Sequence, residues 1–151
     1  MKEINNNIKE DYCSFEVSKL LKEKGFDVPT QFYWEKSLTE SYHEEDGYSG
    51  TFGWRKDEIN FSSGYTRNSN PLIADNKSWL VCSAPTHALA IEWLRVNFEI
   101  WISIMYLDSV GNYGFIVTTI TDNTEVKEEY YHLSPEEATE AALKYVLEEL
   151  I

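Results

Sequence analysis

The sequence predicts a single-domain α+β fold, in which an antiparallel sheet carries three helices packed mainly on one face. One observation is the β-rich pattern over about residues 99–131, where strand segments follow one another without an intervening helix. Another is the helical spacing of apolar residues near 12–24, 85–97 and 135–150. The third is the length of 151 residues, which is enough for one hydrophobic core and short for two domains.

The first predicted helix covers about 12–24 and follows a polar lead at 1–10, which we expect to be mobile. Asp11 can cap its start, because a carboxylate accepts hydrogen bonds from the free N–H groups of a first turn. Gly25 followed by Phe26 is typical of a helix end at which glycine turns left-handed and the next apolar residue packs back.

The other two helices also carry start signals. Before 85–97, Ser83 or Ala84 lies at the cap position and Pro85 falls in the first turn, where its missing N–H costs nothing. Before 135–150, a serine, a proline and a glutamate three residues after the serine form a capping box. Both segments are therefore predicted to be helices that begin at a defined residue.

The strongest strand pattern is a three-strand antiparallel meander. The predicted strands are residues 100–107, 113–121 and 126–131, joined by polar turns at 108–112 and 122–124. Weaker strand patterns occur at 31–34, 51–54, 59–61 and 79–82. Residues 36–76 are predicted to be a polar, loop-rich insertion with weak strands, and residues 62–71 have turn chemistry throughout.

Charge and composition exclude several classes of protein. The chain has 26 acidic and 13 basic residues, a net charge of −13 and a pI near 4.6. This balance argues against direct nucleic-acid binding and against an anionic membrane surface. The start of the sequence has no export signal and no apolar run is long enough to span a bilayer, so we expect a cytoplasmic protein that does not bind membranes. No cofactor motif and no metal-ligand spacing is recognised.

Parts of the three helices resemble a known family. The segments that carry the resemblance are residues 14–26, 83–86 with Ala90 and 93–95, and 140–145 with 147–151. Together they are similar to small uncharacterised proteins of gut anaerobes of the Bacteroidetes and of their phages and prophages. The resemblance implies no catalytic motif and no known activity. It implies a mobile-element context and the intracellular phase of infection.

Cys82 and His87 are the candidate catalytic residues, close together at a strand-to-helix junction. A thiol near a helix N-terminus can have a lowered pKa, and a neighbouring histidine can activate it as a nucleophile. The alternative is a buried strand cysteine and an exposed helix histidine, which burial preferences favour. A small enzyme that uses Cys82 is therefore an alternative hypothesis and not the leading one.

Trp54, Arg55, Tyr65 and Arg67 are the candidate binding residues. They lie in a segment, 51–81, that is slightly basic in an otherwise acidic chain. Aromatic residues beside arginine are typical of protein-binding hot spots. The alternative is that the aromatic residues fill the core.

Residues 125–151 hold eight glutamates and two lysines, which suggests another alternative. A row of carboxylates can imitate a nucleic-acid backbone and occupy the basic groove of a host enzyme. The leading hypothesis is instead a non-enzymatic, intracellular protein-interaction or accessory protein of mobile-element origin, either monomeric or homodimeric. Its expected partner is another protein of unknown identity.

Overall fold

The computed structural model describes residues 10–39, 51–54, 60–68 and 78–151, and over these ranges the chain forms helices and two antiparallel sheets. The predicted α+β class is confirmed. In chain order the elements are α1 (Phe15–Glu23), β1 (Thr30–Thr39), β2 (Thr51–Trp54), β3 (Asn60–Thr66), β4 (Ser78–Ser83), α2 (His87–Phe98), β5 (Ile100–Leu107), β6 (Asn112–Thr119), β7 (Thr124–His132) and α3 (Pro135–Tyr145), followed by a π-helical turn over Val146–Leu150.

The predicted meander is confirmed as the sheet β5–β6–β7. The first hairpin pairs Ile100 with Thr119 at one end and Leu107 with Asn112 at the other, so its register has no slip. Both turns contain a residue with positive φ, Gly111 at 68° and Asn123 at 52°, as tight connections between antiparallel strands require. The residues at the two turns therefore have the conformation that each turn needs.

A second sheet is built around β1, which is its central strand. The strands therefore form two sheets, whereas one continuous layer was expected from the sequence. Tyr33 of β1 pairs with β3 on one side and with β4 on the other, and Lys36 pairs with β2 and β4 in the same way. β1 is thus central, with β2 and β3 along one edge and β4 along the other. The helix α2 and a left-handed Glu99, with φ of 55°, separate β4 from β5 and redirect the chain into the meander.

The polar insertion predicted at 36–76 is partly strand. β1 continues into it as far as Thr39, and β2 lies where a weak strand was predicted. β3 continues to Thr66 through residues with turn chemistry, because pairing with β1 provides the backbone hydrogen bonds. Residues 40–50, 55–59 and 69–77 lie outside the described ranges, as does the predicted lead except for Glu10.

Two predicted helix starts were wrong. Ser14, and not Asp11, caps α1, with its Oγ accepting from the Val17 N–H at 3.2 Å. Thr86, and not Ser83 or Ala84, caps α2 by accepting from the Leu89 N–H at 3.2 Å, so Pro85 precedes the helix. The cause is a long-range contact. The segment that precedes α1 pairs with the segment that precedes α2, and this pairing holds both segments extended.

Two other predicted helix boundaries were correct, namely the end of α1 and the start of α3. Gly25 has a φ of 91°, and the Phe26 N–H donates to the Leu21 carbonyl at 2.9 Å while the Phe26 side chain is fully buried. At the start of α3, Ser134 Oγ accepts from the Glu137 N–H at 3.1 Å. The Glu137 carboxylate accepts from the N–H of Leu133, one residue before the cap, at 2.9 Å, so the returning bond of the predicted capping box is displaced by one residue.

The main core lies between the helices and one face of the meander. Ile102, Phe115 and Val117 point from that face, and Leu94 of α2 and Leu143 of α3 pack against them. A smaller cluster of Trp34, Cys82 and Ala84, with Phe15 and Phe32 beside it, joins α1 to the second sheet. The prediction that the helices pack mainly on one face is confirmed for the meander.

Candidate functional site

Cys82, the predicted nucleophile, is fully buried at the end of β4 among Trp34 and Ala84. Burial raises the pKa of its thiol to about 12, and the nearby Lys22 and Lys19 lower it only in part. The thiol is therefore protonated at neutral pH. This is the environment of a structural core cysteine, whereas a reactive cysteine has a lowered pKa and access to solvent.

His87 lies beside a different cysteine. The candidate ligand atoms of His87, Cys13 and Glu140 all lie within 4.8 Å of one another. The imidazole Nε2 is 2.7 Å from Glu140 Oε1, and only 12% of the His87 side chain is exposed. We call these three residues together with Ser14 the polar cluster.

Backbone pairing brings Cys13 and His87 together. The Cys13 N–H donates to the Pro85 carbonyl at 2.9 Å, and the His87 N–H donates to the Asp11 carbonyl at 2.9 Å. Tyr12 and Thr86 form the antiparallel bridge between these bonds. The two segments that lead into α1 and α2 therefore form a short ladder, which fixes both side chains relative to each other.

Glu140 of α3 is the acceptor at the centre of the polar cluster. Its Oε1 accepts from the Ser14 N–H at 2.9 Å, and its Oε2 accepts from Ser14 Oγ at 2.6 Å. Burial alone would raise the pKa of this carboxyl, but the hydrogen bonds from His87 and Ser14 outweigh it, so its pKa is lowered. Glu140 is therefore an ionised, largely buried carboxylate that joins the starts of α1 and α2 to α3.

Cys13 is the innermost residue of the polar cluster. It is fully buried, and burial, aided by the charge of Glu140, raises the pKa of its thiol well above the usual value. Its carbonyl accepts from Trp34 Nε1 at 3.2 Å and from Ser18 Oγ at 3.3 Å. The cysteine backbone is thus held from two elements, while its sulfur makes only a 3.9 Å contact with the Thr86 carbonyl.

Sequence reasoning did not find this cluster. It did not single out Cys13, and it counted Glu140 only among the eight glutamates of residues 125–151. These residues lie far apart in the chain, and only tertiary packing brings them together. No local signal in the sequence marks them, because none of the three residues has a second ligand at a characteristic spacing.

The predicted binding residues lie mostly where their side chains are not described. Trp54 is the last residue of β2 and Tyr65 lies in β3, while Arg55 falls outside the described ranges. Arg67 is exposed, with Nη1 3.7 Å from Asp27 Oδ2 and 3.4 Å from the Asp27 carbonyl. The convergence of the four side chains on one surface stays a prediction.

A second candidate surface is the face of the meander opposite the helices. Because alternate residues of a strand point to opposite faces, the residues between the buried Ile102, Phe115 and Val117 point outward. Cross-strand register then places neighbouring β7 residues on the same side. We call this the outer face; its residues are Trp101, Ser103, Met105, Gly114, Ile116, Thr118, Glu125, Glu128 and Tyr130.

Aromatic and acidic groups lie side by side on the outer face. Trp101 is 50% exposed, and its Nε1 donates to Ser103 Oγ at 3.0 Å. The hydrogen bond to Glu128 raises the pKa of Glu125, and a hydrogen bond to the same carboxylate raises the pKa of Tyr130 to about 12. Glu125 and Glu128 therefore form an acidic pair at this end of the face.

A groove of about 430 Å³ lies at one end of the outer face. Its lining residues are Arg95, Trp101, Thr118, Ile120 and Asn123. Arg95 is already paired, with Nε 2.9 Å from Glu92 Oε2. The groove therefore offers an apolar wall from Trp101 and Ile120 beside the negative end of the sheet.

The glutamates of residues 125–151 do not form one continuous row. Glu140 lies inside the polar cluster. Glu129 lies opposite Phe115, on the helix-covered face, and its carboxylate is 3.0 Å from Lys127 Nζ. Glu125 and Glu128 lie on the outer face.

No protein-family model matches the chain, and neither a curated protein nor a solved structure is significantly similar to it. The resemblance of the helices to Bacteroidetes and phage proteins therefore stays a prediction. Within the described part of the chain, no helix has both the length and the apolar character to cross a membrane. The function must therefore be inferred from the geometry of the polar cluster and of the outer face.

Proposed function

We propose that the protein is a non-enzymatic, cytoplasmic interaction or accessory protein that binds its partner through the outer face. The observation that carries this proposal is the half-exposed Trp101 on the same sheet face as the carboxylates Glu125 and Glu128. The partner is a protein that presents lysine or arginine beside an apolar side chain. The resemblance of the helices supports an origin in a mobile element.

The composition of the outer face supports this choice. Tryptophan is enriched among the few residues that supply most of the binding energy at interfaces. Trp101 also lines the groove, with Ile120, so a partner's apolar side chain can be buried against both.

Charge favours a basic partner over a second copy of this chain. Two copies docking outer face to outer face would place two pairs of carboxylates together, and each chain carries a net charge of −13. Like charges brought together at an interface cost several kcal/mol. A basic segment instead relieves the repulsion between Glu125 and Glu128 and is attracted over a distance of about one Debye length, ~8 Å in physiological salt.

Selection from a random peptide library tests the proposal even though the partner is unidentified. Peptides displayed on phage would be selected on the full-length protein after depletion on a Trp101→Ala, Glu128→Gln double variant. We expect enrichment of peptides that combine lysine or arginine with aromatic or aliphatic residues. Trp101→Ala should weaken a selected peptide about thirtyfold, the factor that corresponds to a hot-spot loss of about 2 kcal/mol.

Matched substitutions elsewhere give the controls. Val96→Ala removes an exposed apolar residue from α2, and Glu149→Gln removes an exposed carboxylate from the end of the chain. Neither should change the affinity of the selected peptides. Selected peptides without basic residues, or peptides that bind Trp101→Ala as tightly as the unaltered protein, would refute the proposal.

A further inference from the structure

We propose that Cys13, His87 and Glu140 form a binding site for a divalent cation of the Zn²⁺ class. The site lies where the chain segments leading into α1 and α2 meet α3. It provides one sulfur, one imidazole nitrogen and one carboxylate, with a fourth position open to water. This inference does not depend on the outer face or on its proposed partner.

The types of ligand select the metal. Thiolate and imidazole favour zinc and cobalt over magnesium and calcium, which prefer oxygen ligands alone. A set of three protein ligands with one open position is typical of accessible zinc sites, whereas closed structural sites use four protein ligands. A Cys, His and Glu set therefore fits a four-coordinate zinc ion with one bound water.

The spacing of the ligand atoms is close to what a tetrahedral ion requires. Metal–ligand bonds of about 2.0–2.3 Å place neighbouring ligands roughly 3.3–3.7 Å apart. Here the three atoms lie within 4.8 Å of one another, and the His87 to Glu140 distance is 2.7 Å. A tetrahedral ion would need the imidazole and the carboxylate to move slightly apart and the sulfur to move closer to both.

The surrounding residues hold the ligands in place before any ion binds. The backbone ladder fixes Cys13 relative to His87, and Ser14 donates two hydrogen bonds to Glu140. Trp34 and Ser18 hold the Cys13 carbonyl. Such outer contacts orient metal ligands and increase metal affinity.

Access to the site is from one side. Cys13 is fully buried, whereas 12% of the His87 side chain and 26% of the Glu140 side chain are exposed. An ion can therefore reach the carboxylate and imidazole from solvent and then bind the sulfur beneath them. Binding replaces the thiol proton of Cys13, as metal coordination by cysteine requires.

Cobalt spectroscopy tests this site directly. The full-length protein, stripped with EDTA, would be titrated with Co²⁺ alone. We expect near-ultraviolet thiolate-to-cobalt absorption and visible bands of tetrahedral intensity that saturate at one ion per chain and disappear when Zn²⁺ is added. Zn²⁺ should also raise the melting temperature, because an ion that binds only the folded chain stabilises it.

Variants identify the ligands. Cys13→Ser should remove the thiolate band, and Glu140→Gln and His87→Gln should each weaken cobalt binding at least about tenfold. Cys82→Ser is the matched control, since Cys82 is the other fully buried cysteine and lies outside the cluster. Circular dichroism shows whether each variant is folded, and if Cys13→Ser is not, Glu140→Gln and His87→Gln decide the question.

Either of two results would overturn the proposal. One is the absence of a cobalt–thiolate band in the folded, unaltered protein. The other is a band that persists in Cys13→Ser or is lost in Cys82→Ser. In both cases the polar cluster would be a hydrogen-bond network that only stabilises the fold. Peptide binding measured in EDTA separates this outcome from any failure of the proposed function.

Discussion

Glu140 shows how one side chain can connect parts of the chain that are distant in sequence. It accepts hydrogen bonds from Ser14 at the start of α1 and lies 2.7 Å from His87 at the start of α2. Because hydrogen bonds to a charged group contribute about 1.5–3 kcal/mol, Glu140→Ala should lower the free energy of unfolding by about that amount. Urea denaturation in EDTA measures this change without any contribution from bound metal.

Glu149 is the matched control for this prediction, because its side chain is exposed near the end of the chain. Glu149→Ala should change the unfolding free energy by no more than about 0.5 kcal/mol. Equal effects of the two substitutions would mean that the polar cluster does not hold the three helices together.

Cys82 makes the free energy of unfolding depend on pH in the alkaline range. Its pKa is raised from the ordinary value of 9.0 to about 12 in the folded chain, so the folded state holds this proton more tightly than the unfolded state. The resulting stabilisation is complete below pH 9 and is lost as pH rises toward 12. Over this window Cys82 should contribute a downward slope of up to about 1.4 kcal/mol per pH unit.

Comparison with Cys82→Ala isolates that slope. The variant loses some stability at every pH, but its free energy of unfolding should fall less steeply between pH 9 and 12. Iodoacetamide at about pH 8 gives a second measurement, because the buried thiol should react only after the chain unfolds. Rapid alkylation of Cys82 in the folded protein would instead favour the enzyme hypothesis.

At the scale of secondary-structure elements, Gly114 determines how closely β6 and β7 approach. A Cβ at this position would overlap the Glu129 carbonyl and the Tyr130 ring and would lie 3.0 Å from the Tyr130 Cα. Gly114→Ala should therefore destabilise the protein by about 1–3 kcal/mol, the usual cost of overpacking. Chemical denaturation measures the loss.

Gly111→Asn is the control within the same hairpin. Gly111 has a φ of 68°, and a Cβ at this position would meet no atom within 4 Å beyond its chain neighbours. Asparagine also tolerates this conformation. Its substitution should therefore cost less than that of Gly114. The opposite order would show that turn conformation, and not the contact between β6 and β7, limits the stability of the meander.

The elements that were predicted correctly are those with local signals. The turns of the meander, the Gly25 end of α1 and the Ser134 start of α3 each depend on residues that are close in sequence. The starts of α1 and α2 were predicted wrongly because a ladder between residues 11–13 and 85–87 overrides the local caps. Pairing across such a distance leaves no pattern within either segment.

At the scale of the whole molecule, the two candidate sites also differ in whether local sequence signals or long-range packing define them. Alternation within β5 and β6 already implied that Trp101, Ser103 and Met105 share a face. The sequence could not show which face of the meander the helices cover. Its aromatic and basic residues instead indicated the segment 51–81 as the binding region. The polar cluster needed three separate elements to meet, so neither spacing nor composition could reveal it.

The central claim is that the outer face of the meander binds a basic protein segment. Nuclear magnetic resonance of the labelled, full-length protein with a selected basic peptide tests it most directly. We predict shifts of the Trp101 indole N–H and of the Ser103, Ile116 and Glu128 amides, which become smaller as salt is added. Shifts confined to the helices, or shifts that are insensitive to salt, would contradict it.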